Sequence, residues 1–363
     1  MIGWTLGRYF FMRYVKTTLY FLLGIFALSL LLDFTENASK LAALPDYSVW
    51  IALGISAMRI PFIMQQIIPF VALFSAMATL ISLNRRYELV VARSVGVSAW
   101  QFLLPACFGA LIFGLVTIFV INPFAAYGLE KAEEITTQWK NGNVSQVSSA
   151  LRDPWLRQKF DGQETIIGAK GILAQGTHLT DVSFFTFNED KTIKERFDAR
   201  DAQLKDGYWS LTNVTHIVEG QEPKELLSTQ IPTQLKAEFL EEKLSSPDTI
   251  PFISLPRKIE VARSFGFSAT AFDMQFQSLL ALPALLMAMT LIAATVSLKF
   301  VRSGQSGALI LGGIIAGFVL YVVTVLAKAF GTAGFVPPFV AAWVPVLIAT
   351  FFGISFLLHK EDG

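Results

Sequence analysis

Six separate stretches of the chain stay apolar for about 20 residues, the length a helix needs to cross a hydrocarbon layer roughly 30 Å thick. They cover 15–32, 60–83, 102–121, 279–298, 308–327 and 339–358. No other feature restricts the fold as much, because lipid admits only structures that pair their own backbone groups. With 53% hydrophobic residues and 32 Phe, an ordinary soluble domain is excluded. Pro105, Pro283 and Pro345 lie inside such runs, where neighbouring groups in a membrane bundle can satisfy the freed carbonyls. Residues 49–59 are apolar as well. Joined to the second run they would make more than about 50 Å of helix, so Arg59 and Pro61 predict a break or a tilted extension.

The basic residues beside the runs sort to one side. Arg8, Arg13 and Lys16 precede the first run, and Arg85, Arg86 and Arg93 separate the second from the third. Lys299 and Arg302 follow the fourth, and Lys360 follows the sixth. The opposite short loops offer Lys40, with Arg59 and Lys328 near span ends. Both termini are therefore expected in the cytoplasm, and residues 123–270 on the far side. The first run reads as a retained span rather than a cleaved signal, since no small-residue cleavage site precedes Asp33.

One stretch occurs twice. VARSVGVSAWQF (91–102) and VARSFGFSATAF (261–272) match at eight of twelve positions, yet this topology puts them on opposite sides of the membrane. Each reads as a short amphipathic helix, a Gly at its C-terminal cap (Gly96, Gly266), and a Ser (Ser98, Ser268) capping the next helix. Ser98 and Gln101 have capping-box spacing. The pair reads as convergence on a helix–turn–helix lead into the bilayer, with an inverted repeat as the alternative. Only the first copy belongs to a segment such as NRRYELVVAR (84–93), a basic helix with a single acid, Glu88. It is either a handle for a soluble partner, with Glu88 and Leu89 as inserted groups, or an interfacial helix whose arginines meet anionic headgroups.

Most of the charged residues fall between 130 and 263. Within that insert, 155–160, 164–169, 177–187, 196–204 and 208–218 are rich in aromatic and β-branched residues, with turns at Asn188–Asp190 and Asp206-Gly207. Short strands at regular spacing predict a sandwich or jelly roll. Trp155, Phe184, Phe185 and Trp209 would form its core or line a lipid groove. Residues 130–140 read as a helical extension of the third span, and 247–256 as a linker. The basic trio Arg257, Lys258 and Arg263 solvates the following amphipathic helix or guides anions. Cys107 is the single cysteine, so no internal disulfide holds the insert. The domain reading is thus residues 1–124 with three spans and a coupling helix at about 84–96, 125–256 as the β-domain, and 257–363 with the last three spans.

Catalytic signatures are missing. There is no G-x-x-x-x-G-K-[ST] phosphate loop and no H-E-x-x-H. Gly304–Gly307 is too short and lacks lysine. Gly54-Ile55-Ser56 and Gly266-Phe267-Ser268 mimic a serine-hydrolase fragment, but His178, His216 and His359 all fall outside the spans.

In their order, LGRYF (6–10), RRYELVVARSVG (85–96), THLTDVSFFTF (177–187), DGYWSLTNV (206–214) and FGTAGFVPPFVAAWVP (330–345) make the chain resemble the LptF/LptG permeases of the lipopolysaccharide export transporter, closest to the G type. The resemblance covers essentially the whole length. It implies a Gram-negative inner-membrane protein with six spans and a periplasmic β-jelly-roll between spans three and four. Implied partners are an LptF-type permease subunit, an LptB-type ATPase dimer, an LptC-type single-span protein and an LptA-type periplasmic bridge. Lipopolysaccharide and membrane lipid are the ligands, and nucleic acid has no role. The chain itself is expected to be no enzyme and to carry no cofactor or metal, with ATP and Mg bound by the partner. By the same resemblance Arg85, Arg86, Glu88, Leu89 and Arg93 form the segment that engages the ATPase. Lys40 matches a basic stretch that approaches lipid A phosphates, although Asp33 stands where some relatives carry a lysine. Arg59 and Lys328 join it as substrate-binding candidates from position alone. The alternatives are a permease of another lipid- or lipoprotein-extracting system, and an intramembrane enzyme.

Overall fold

The structure is a computed structural model describing residues 4–41, 48–141, 155–160, 163–173, 177–187, 192–218, 222–233, 246–264, 268–297 and 306–361. In chain order the helices are α1 (Trp4–Leu41), α2 (Val49–Arg85), α3 (Glu88–Ser94) and α4 (Ala99–Val116). A π-helical turn, Thr117–Ile121, then leads without interruption into α5 (Asn122–Asn141). Six strands follow: β1 (Trp155–Phe160), β2 (Gln163–Leu173), β3 (His178–Phe187), β4 (Ile193–Lys205), β5 (Tyr208–Val218) and β6 (Lys224–Pro232). A 3-10 turn (Pro247–Thr249), α6 (Leu255–Ser264), α7 (Thr270–Ser297), α8 (Ser306–Thr332) and α9 (Pro338–Glu361) complete the chain. The chain divides into a helical unit (Met1–Glu130, Pro247–Pro256 and Thr270–Gly363) and a β unit (Lys131–Ser246 with Arg257–Ala269).

Among the described residues six helices are long and apolar enough to cross a membrane, and the β-sheet is inserted between the third and fourth, as expected. Their lengths depart from the sequence reading. α1 runs 38 residues, and α2 runs 37 straight through Pro61 and Pro69. The apolar stretch before Arg59 is thus an extension of the second span, without a break.

α7 is the central helix of its unit. Its Leu282, Leu286, Met289 and Ala293 are buried together with Tyr14 of α1, Ile68, Ala72 and Ala76 of α2, Ala106 and Ala110 of α4, and Ala342 and Val346 of α9. Small residues let these backbones approach closely, which is how helices associate where lipid competes for apolar contact. At Gly114 the approach leaves no room for a side chain: a Cβ there would lie 2.5 Å from the Pro283 Cα. The first and fifth spans are the least covered by the rest of the chain, and the fourth is the most covered.

The β unit is one antiparallel sheet with its strands in chain order. β6 is a strand that the sequence pattern does not predict. Only Ile231 in it is buried, so its alternation is weak. Asp206-Gly207 makes the β4–β5 turn, with Gly207 at φ 86°. Phe184 and Trp209 are fully buried edge to face in the core, and Phe185 lies under the Arg196 guanidinium. The core alternative therefore holds for Phe184 and Trp209, while the Trp155 side chain and the Asn188–Asp190 turn lie outside the described residues. Complete burial of Ile167, Leu179, Phe184, Trp209 and Leu211 fits a sheet folded over its own core, as in a sandwich.

A crease crosses this sheet. Asp181 on β3 and Asn213 on β5 have φ of 48° and 53°, and pairing skips the row Lys170, Asp181, Arg200, Asn213 and Leu227 on all five strands it crosses. A left-handed residue shifts the strand's alternation by one position. Buried residues accordingly jump by three on β3, from Leu179 to Val182, and on β5, from Leu211 to Val214, and β4 between them makes the same jump from Ala199 to Ala202 without a left-handed residue. Both sides of the crease still feed one core.

Candidate functional site

Between α2 and α4 the chain makes two tight corners, and α3 is held between them. Arg86 ends α2, and Tyr87 then takes a left-handed conformation (φ 61°) that an aromatic residue rarely adopts. The far end of α3 closes with Val97 N–H donating to the Ala92 carbonyl and Gly96 N–H to the Arg93 carbonyl, with Gly96 at φ 89°. That is a Schellman stop, which requires a residue free to take positive φ. Ser98 then caps α4 by accepting from the Gln101 amide, as the sequence spacing predicts. Gly266 in the second copy lies outside the described residues.

A seven-residue helix is not stable alone. α3 is stabilised by Leu89, which is 4% exposed in a core with Phe10, Leu83, Phe102 and Leu357. Leu89 is thus an anchor facing inward. This corrects its assignment as an inserted group: its side chain is already used inside the chain. The outward groups are Arg85, Arg86, Tyr87, Val90, Val91, Arg93 and Val95. Arg93 also lies over the Phe102 ring at 5.7 Å.

Glu88 faces α1. Its Oε2 accepts a hydrogen bond from the Tyr9 hydroxyl at 2.9 Å, and its Oε1 lies 3.5 Å from Arg13 Nη1. The same Nη1 donates to the Tyr9 hydroxyl at 2.6 Å, and Nη2 donates to Ser82 Oγ at 3.0 Å. One guanidinium therefore joins α1, the end of α2 and the start of α3. Tyr9 and Ser82 are absent from the residues singled out by sequence, and Arg13 enters there only among the basic residues that set orientation. The available signal was Tyr9 and Arg13 at i,i+4 spacing near a segment with one acid.

The other candidate cations lie at the opposite ends of their helices. Arg59 is paired: its Nη1 sits 3.4 Å from Asp33 Oδ1 and donates to Asn37 Oδ1 at 3.1 Å. Asn37 donates to Asp33 Oδ2 at 2.7 Å and to Ser56 Oγ at 3.0 Å, which closes a four-residue network between α1 and α2. Lys328 donates to Gln275 Oε1 at 2.8 Å and lies 3.9 Å from Asp248 Oδ1. Lys40 is in the last turn of α1, and its side chain lies outside the described residues. The two placed cations are thus separate stations, each with an internal acceptor. Nearby, Asn122 donates to Gln65 and accepts the Phe252 N–H, which ties the helix after the π turn to α2 and to the returning chain.

Residues 8–359 match the family described as lipopolysaccharide export system permease LptF/LptG. The chain belongs to the LptF/LptG family. Among curated proteins it is similar to the permease LptG of Haemophilus influenzae, 23% identical across 99% of each chain. It is also similar to LptG of Escherichia coli K12, 24% identical across 97% of each. Both relatives carry the G-type name, in line with the resemblance read from the motifs.

Proposed function

We propose that this chain is the G-type permease subunit of an ATP-driven lipopolysaccharide exporter. It pairs with an LptF-type subunit around a cavity, extracts lipopolysaccharide from the inner membrane, and passes it through its periplasmic β-domain to an LptC-type and LptA-type bridge. ATP and Mg belong to an LptB-type ATPase dimer on the cytoplasmic face, where α3 serves as the coupling helix.

The observation that carries this reading is α3 itself: a short helix fixed at both corners on the basic end of the bundle, offering exposed Tyr87, Val91 and Val95 among Arg85, Arg86 and Arg93. A soluble partner can seat such a ridge in a groove. The poorly covered first and fifth spans support a second membrane subunit against them. Arg59 and Lys328 remain the candidate phosphate contacts; a phosphate would have to compete with Asp33 or Asp248 for them.

Purification in gentle detergent tests the assignment. The wild-type chain is expected to retain an F-type subunit and an ATPase, with lipopolysaccharide detected by lipid mass spectrometry. Val91→Asp should reduce ATPase capture about tenfold or more, since it sets a charge into an apolar docking contact. Recovery of triacylated lipoprotein instead would favour a different extracting permease, and proteolysis without an ATPase would favour an enzyme. Impermeant labelling of a thiol engineered at Asp206 in spheroplasts checks the orientation; labelling only after lysis would invert the topology and end the proposal.

A further inference from the structure

Both carboxylate oxygens of Glu88 are already engaged inside the chain, and that limits what the residue can do. Tyr9 donates to one oxygen, Arg13 faces the other, and the second arm of Arg13 reaches Ser82 of α2. The Arg13 and Glu88 side chains are 21% and 28% exposed, so the cluster is sheltered and still reachable from water. A short helix whose only acid is spent on a neighbouring helix cannot tilt by itself. Any displacement of α3 pulls on a guanidinium that also holds α1 and α2.

From this geometry we infer that Tyr9 and Arg13 are positioning residues, a brace that fixes α3 against α1 and carries displacement of α3 into the first span. The inference deepens the coupling-helix reading and rests on it for its functional part. Its structural part stands on the contacts alone. Glu88 acts first through Tyr9 and Arg13, and the partner-facing groups are the exposed residues around it. Along α1, Arg13 is about 30 Å from Asp33, at 1.5 Å per residue. The braced end is thus continuous with the end that Asp33 and Asn37 fasten to α2. Between them α1 keeps one narrow face inward through Tyr14, Thr18 and Ser29 and is otherwise the least covered span. α1 is one uninterrupted helix, so a displacement of its braced end is carried along its length.

The test begins without partners. The full chain is placed in nanodiscs of phosphatidylethanolamine and phosphatidylglycerol, and amide hydrogen exchange is followed across 84–98. Arg13→Ala and Glu88→Arg are expected to speed α3 exchange about tenfold, and Tyr9→Phe about threefold, as expected for loss of charge-assisted hydrogen bonds from a helix too short to persist alone. The exchanged pair, Arg13→Glu with Glu88→Arg, should return to within about threefold of wild type, because the attraction is restored with its sense reversed. Protection of the α7 core reports that the bundle is folded. If a single variant loses that protection, Tyr9→Phe decides, since it removes one hydroxyl and little else. Unchanged α3 exchange in Arg13→Ala or in Tyr9→Phe with α7 intact overturns the brace, as does a swap that restores nothing.

With the F-type subunit and the ATPase reconstituted, Arg13→Ala should keep its ATPase but hydrolyse several times more ATP per lipid extracted; in the swap the ratio should recover. An unchanged ratio despite faster α3 exchange would overturn the transmission step. Failure of the wild-type chain to hold any ATPase would sink the coupling-helix reading and leave the exchange result standing.

Discussion

α1 is fastened to its neighbours at both ends by an arginine, a carboxylate and a bridging polar side chain, yet the two fastenings differ in depth. At the N-terminal end the acid is Glu88, 28% exposed and donated by another helix. At the C-terminal end it is Asp33 of α1 itself, 7% exposed, with the water-accessible role taken by Arg59 at 37%. In the first cluster either partner can reach water if the other leaves. In the second the arginine can, and the aspartate cannot. Desolvation therefore makes one chemistry serve two ends: a releasable brace at Glu88 and a fixed clamp at Asp33.

The largest expected effect is Arg59→Ala, which strands a buried carboxylate and should cost about 3 kcal/mol of bundle stability in detergent unfolding. Asp33→Ala should cost about half as much, because the long Arg59 side chain can turn toward headgroups or water. Equal losses from the two would break the comparison. Replacing both, Arg59→Met with Asp33→Leu, is expected to lie within about 1 kcal/mol of wild type, since neither charge then needs a partner.

Arg13→Ala comes next. Its cost in global unfolding should be about 1 kcal/mol, because both partners are within reach of solvent and the loss falls mainly on α3. Salt sharpens the same contrast. At 1 M the Debye length falls to about 3 Å, so the Arg13–Glu88 coupling measured by a double-mutant cycle should weaken about twofold while that of Arg59–Asp33 holds. Equal salt sensitivity would mean that the clamp is as open to solvent as the brace. The smallest effect belongs to Tyr87→Gly, where relief of the left-handed conformation and the greater freedom of the unfolded glycine nearly cancel, leaving a change within about 0.5 kcal/mol in unfolding. A loss well above that would show that the Tyr87 ring, exposed here, carries packing of its own.

How much of this was legible depends on the range of each interaction. The six spans and the corners of α3 were readable because hydropathy, Gly96 and the Ser98 cap act within a few residues of themselves. For α2 the sequence left a break or an extension open at Arg59 and Pro61; the extension holds, because a membrane helix supported by its neighbours carries the proline. β6 was hidden because its residues face outward and leave no clear alternation. The polar clusters were harder still: Arg59 and Asp33, or Tyr9 and Glu88, meet only once α1 has packed on α2 and α3. Arg59 and Lys328 were marked by their position near span ends alone, and their partners within the chain were not legible. Their acceptors, Asp33, Asn37 and Gln275, carry no sequence mark of facing inward. Leu89 was misdirected for the same reason, because a seven-residue helix has too few turns for periodicity to choose its buried side.

The π turn at Thr117–Ile121 sets which side of α5 meets α2. Each added residue advances a helix by about 100°, so the wide turn rotates α5 relative to an uninterrupted α-helix. Asn122 meets Gln65 and the Phe252 amide only because of that offset. A shorter homologue that dropped one residue there would keep its hydrophobicity and nearly all its length, and would still turn the wrong side of its stalk toward the returning stretch of chain.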